Sequence, residues 1–77
     1  MHVGLEEAAR QLEQAIHDAR VSFDCIALGN LDRAHTHAIT ARAAIDAAEN
    51  AIRVALDAQR SEEDTRQSEG TAENPPS

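Results

Sequence analysis

A seven-residue apolar rhythm, broken once at Gly29-Asn30, constrains this chain more than any other feature. Upstream of the break, Leu5, Leu12, Ala19 and Ile26 recur every seven residues, with Ala9, Ile16 and Phe23 as a companion series four residues on. Downstream, Leu31, Ala38, Ile45 and Ile52 form one series, beside an unbroken stripe of Ala34, Ala41, Ala48 and Ala55. Such spacing marks helices that pack along a seam. Gly29 suits the left-handed residue that closes a helix, and Asn30 suits the N-cap of the next. Asp32, like Glu6 and Glu7 in the first helix, lies where the helix dipole favours an acid. So short a connection forces the helices to run antiparallel. The pattern predicts an all-α helical hairpin over residues 1–60, with helices at about 5–28 and 31–60 and the turn at 29–30.

Composition decides whether such a hairpin stands alone. Among 77 residues alanine occurs 16 times, whereas Ile, Leu, Val, Phe and Met together number 15. At roughly 25 cal/mol per Å² buried, against about 1.5 kcal/mol per ordered residue, so thin a set leaves no surplus. Small domains in that position need a disulfide, a metal or a partner chain. A single Cys excludes an internal disulfide, and no Cys/His run has zinc-finger spacing. A second copy is the expected remedy, giving a homodimeric four-helix bundle. Small residues at Ala8, Ala15, Ser22, Ala44, Ala51 and Ala58 allow close helix approach. The expected self-association seam comprises Leu12, Ile16, Phe23, Ala41, Ile45, Ala48 and Ile52.

From Ser61 the character changes. The run SEEDTRQSEGTAENPPS has one apolar residue, Ala72, two prolines and a net charge of -4. Ser61 and Asp64 have the spacing of a capping box for one more helical turn. Residues 61–77 are otherwise expected to be an acidic, disordered tail. The first ten residues carry Glu6, Glu7 and Arg10 and show no signal-peptide core. No stretch approaches the ~18 apolar residues of a membrane span. With a lone thiol, this predicts a soluble cytoplasmic protein of a reducing compartment, without membrane contact. Seven Arg, no Lys and abundant Ala suggest a GC-rich genome of actinobacterial or phage source, and the small size fits a phage- or plasmid-type accessory protein.

Over residues 5–60 the plan resembles the plasmid-encoded Rop-type RNA-binding hairpins in helix length, turn position, small/large layering and acidic tail. The resemblance implies a dimeric four-helix bundle with Ala/Leu core layers. That family's RNA face is basic and presents an aromatic. Here Lys is absent, and the only aromatic, Phe23, falls in the expected seam. The bundle expectation therefore carries over and the activity does not.

The polar residues point away from chemistry. His35 and His37 are two residues apart, about 200° around a helix, so one metal cannot take both. Asp32 and His35 offer at most a weak two-ligand surface site, while His17 is isolated and His2 lies at the chain start. Paired carboxylates act as acid and base in a cleft, which a hairpin does not provide. The acids instead have helix-stabilising spacing: Glu6 with Arg10, Glu49 with Arg53 and Glu62 with Arg66. The Glu-x-x-His spacing of di-iron bundles is absent. Asp24 beside Cys25 disfavours a thiolate nucleophile. No enzyme activity, cofactor, metal or small-molecule substrate is expected. Nucleic acid is disfavoured as well, since residues 1–30 carry a net -3, residues 31–60 zero and the tail -4.

Several apolar residues lie off the heptad series. Val21, Cys25 and Leu28 recur at helical spacing on the first helix, and Ile39 and Ala43 on the second. An exposed apolar patch of this kind usually marks a binding surface. These five are the candidate partner-binding residues, with Cys25 expected to be at least partly accessible. The sequence points to a non-catalytic interaction module, an adaptor or inhibitor that docks an apolar helical face on a larger protein. The alternatives are a nucleic-acid-linked regulator (Rop-like, or an acidic DNA mimic) and a structural subunit of a larger assembly.

Overall fold

The computed structural model describes residues 3–73, with side chains over residues 4–68. It is an antiparallel helical hairpin of α1 (Val3–Ala27) and α2 (Leu31–Glu73). No described helix is long and apolar enough to cross a membrane.

The turn forms as its residues dictate. Gly29 has φ +75°, and its N–H donates to the Ile26 carbonyl at 3.0 Å. The Asn30 N–H donates to the Cys25 carbonyl at 2.8 Å, so two carbonyls at the end of α1 are satisfied. Asn30 then caps α2, its Oδ1 accepting the Arg33 N–H at 3.3 Å. Both jobs fall to adjacent residues, which explains why the connection is so short.

The seam between the helices is built from small side chains. Ala8, Ala15, Asp18, Ser22 and Cys25 are buried on α1, and Ala34, Ala41, Ala44, Ala48 and Ala55 on α2. The alanine stripe of α2 packs inward as the spacing predicts. The expected series on α1 does not: Leu5, Leu12, Ile16, Phe23 and Ile26 are all exposed. The contact face of α1 is rotated from the large series to the small one. A flat alanine stripe is matched most closely by another small stripe, which brings the helix axes together and leaves bulky side chains to flank the contact. Ile45 and Ile52 sit on that same flank and are likewise exposed.

The second correction concerns α2, which continues 13 residues past its expected end at Arg60, through the segment expected to be a disordered tail. Glu, Gln and Arg are good helix formers, and no proline interrupts them before Pro75. Gln59 Nε2 also donates to Glu63 Oε1, at 3.5 Å. Leu5 shares a surface depression with Ala55, Gln59 and Glu62, so α2 past this level has no α1 alongside. The result is an elongated body of 73 × 19 × 14 Å with an acidic helical arm at its open end. The part of the expected tail at residues 74–77 lies outside the described residues.

Candidate interaction face

The rotation of α1 collects the large apolar side chains on one side of the hairpin. Leu5, Leu12, Ile16, Phe23 and Ile26 of α1 adjoin Leu31, Ile45, Ile52 and Leu56 of α2, and every one of them is exposed. Ile16 is 70% and Phe23 69% exposed. Between the helices on this side runs an open groove of about 510 Å³ floored by Leu12, Ile45, Ala48, Ile52 and Leu56. Its rim carries Glu49, Arg53, Asp57 and Arg60, charges of both signs. A second hollow, lined by Ala19, Ser22, Ala38, Ala41 and Ile45, continues the face toward the turn. Five residues of the expected self-association seam, Leu12, Ile16, Phe23, Ile45 and Ile52, lie on this face. The other two, Ala41 and Ala48, are buried within the hairpin itself.

The candidate partner-binding residues are not gathered into one patch. Cys25 is buried in the seam, which corrects the expectation of an accessible thiol. It follows Ser22 and Asp18 along the small-residue stripe that faces α2. Val21 is half-buried beside that stripe, Leu28 is exposed at the turn, and Ile39 and Ala43 are exposed on the outer side of α2. Phe23 is presented to solvent and not held in the seam, and it stands between exposed Arg20 and exposed Asp24.

A polar layer interrupts the seam near the turn. Asp18, only 4% exposed, accepts a hydrogen bond from Gln14 Nε2 at 2.9 Å on one oxygen and contacts His37 Nδ1 at 3.1 Å with the other. The hydrogen bonds from Gln14 and His37 hold the Asp18 carboxyl below its ordinary value, against the opposing effect of desolvation. Ser22 Oγ, also buried, donates to the Ala34 carbonyl across the seam at 2.7 Å. No described buried side-chain polar atom lacks a partner. His35 points to solvent while His37 turns toward α1, the divergence that their spacing requires. Sequence reasoning missed the His37–Asp18 contact; its signal was the heptad position that His37 shares with Ala44 and Ala51.

The surface charges pair locally. Arg10 pairs with Glu7, and not with the expected Glu6. Arg53 pairs with Glu49 at 3.3 Å as the spacing predicts. No ion pair joins Glu62 to Arg66 among the described residues. Nor does any described group of three or more His, Cys, Asp or Glu have the placement to hold a metal ion. Compared with known proteins, the chain matches no family model, no curated protein and no solved structure.

Proposed function

We propose that this chain is a non-catalytic protein–protein interaction module that self-associates through its broad apolar face into a helical bundle. The bundle in turn serves as an adaptor or inhibitor for a larger protein. One observation carries this reading: among the described residues twelve large apolar side chains are exposed, and none is fully buried. A seam of alanines, Cys25, Ser22 and Asp18 removes little apolar area from water, so the hairpin needs a second surface to close its core. Exposed apolar area on this scale marks an interaction site on a soluble chain. Leu28, Ile39 and Val54 lie outside the broad face and remain available for a further partner.

The test is the solution mass of the wild type and of a Phe23→Asp/Ile45→Asp variant, by light scattering across a concentration series. The expected outcome is an oligomeric wild type, and a variant that is monomeric and far less helical. A wild type that stays monomeric and fully folded at high concentration overturns the reading. The adaptor role is tested separately with Leu28→Asp/Ile39→Asp, which should keep the oligomer and lose a protein retained from host lysate. Retention of nucleic acid in its place would favour the regulator alternative.

A further inference from the structure

We propose that the occupant of the broad apolar face is a second copy of this chain turned end for end, so that the two turns lie at opposite ends of the bundle. This rests on the self-association reading above and adds the partner's orientation to it.

The area fits a second copy. The nine exposed side chains of the face present on the order of 800 Å², which is about what each partner contributes to a stable interface. Shape then selects the orientation. Toward the turn the face carries knobs, Phe23, Ile26 and Leu31 at 60–69% exposed, and Ile16, at 70%, stands near the middle of α1. Toward the open end the face is hollowed: Leu5, Leu12, Ile45, Ile52 and Leu56 are 39–50% exposed and most of them line the groove. A copy turned end for end lays the knobs of each chain over the groove of the other, twice by symmetry. A copy in the same sense sets knobs on knobs and groove on groove.

The register agrees. Ser22 against Ala34 and Asp18 against His37 fix which residues of α1 and α2 share a level. With a two-fold axis at the level of Gln14, Leu5 meets the second copy's Phe23, and Leu12 its Ile16. The levels fixed within each hairpin then bring Ile52 to the second copy's Leu31 and Ile45 to its Ala38, large against small. In the same-sense pairing Ala19 and Ala38 of both copies share one level, and the hollow they line stays unfilled. Charge adds to the preference. Residues 61–73 carry a net -4, and the end-for-end pairing holds the two arms a full hairpin length apart.

The experiment is a pulsed-dipolar distance measurement on Cys25→Ser/Ala27→Cys carrying a nitroxide label, with mass measured on the same sample. Cys25→Ala/Ala27→Cys replaces it if the serine disturbs the seam. Ala27 is exposed at the end of α1 and outside the apolar face. End-for-end pairing places the labels about 40 Å apart, from a 1.5 Å rise per residue. Same-sense pairing places them about 20 Å apart, one helix layer plus the label arms. The long distance in a dimer supports the proposal. The short distance in a dimer overturns it and leaves self-association standing, and a labelled chain that is monomeric overturns both.

Discussion

At the scale of single residues, the seam is unusual in holding a carboxylate where an alanine would pack. Asp18 is tolerated because both its oxygens are partnered, by Gln14 and by His37, and a buried polar group costs little once satisfied. The layer fixes the rotation and register of α1 on α2, which an alanine-on-alanine seam specifies only weakly. Because Asp18 is held below its ordinary value, its unfolded state binds the proton more readily than its folded state. The stability that follows is present above about pH 4 and is lost as the pH falls through the folded value. Thermal melts between pH 6 and pH 3 should therefore show a smaller acid loss for Asp18→Asn than for the wild type. Identical acid slopes would remove Asp18 from the account. The layer was missed in the sequence, although His37 shares a heptad position with Ala44 and Ala51, because heptad reasoning assigns seams by apolar size, and here the seam residues are the small and polar ones.

At the scale of elements, the two helices and their turn were legible because each rests on local chemistry. Gly29 supplies a positive φ, Asn30 a cap, and alanine helix propensity throughout. The alanine stripe of α2 was legible for the same reason, being unbroken over four repeats. The face of α1 was not, since Leu5, Leu12 and Ile26 repeat as regularly as Ala8, Ala15 and Ser22 and one period cannot choose between two stripes. The far end of α2 was missed because acidic composition was weighed above helix propensity. The close seam makes a sharp prediction at Ala48, the least exposed of its residues at 1%. Ala48→Leu forces the helices apart and should cost about 1–3 kcal/mol in chemical denaturation, or change the oligomer. Unchanged stability and mass would contradict a seam packed this closely.

At the scale of the whole molecule, the apolar residues buried between the helices are small, alanines and Cys25, while the large ones stand exposed. The acidic arm belongs to neither group. Its described side chains, through residue 68, are exposed on every side and add nothing to the seam. A chain ending at Arg60 should thus lose helical signal in proportion to the residues removed while keeping the thermal midpoint of the full chain. The dimer dissociation constant discriminates further. Charges interact over about 10 Å in 0.1 M salt and about 30 Å in 0.01 M, so arms at opposite ends of a bundle ignore each other at either concentration. Truncation should then leave dimer affinity unchanged within roughly twofold across that range. Arms brought to the same end would repel, and their removal would tighten the dimer markedly at low salt. Titrating both chains by sedimentation at the two salt concentrations separates these outcomes without introducing a label.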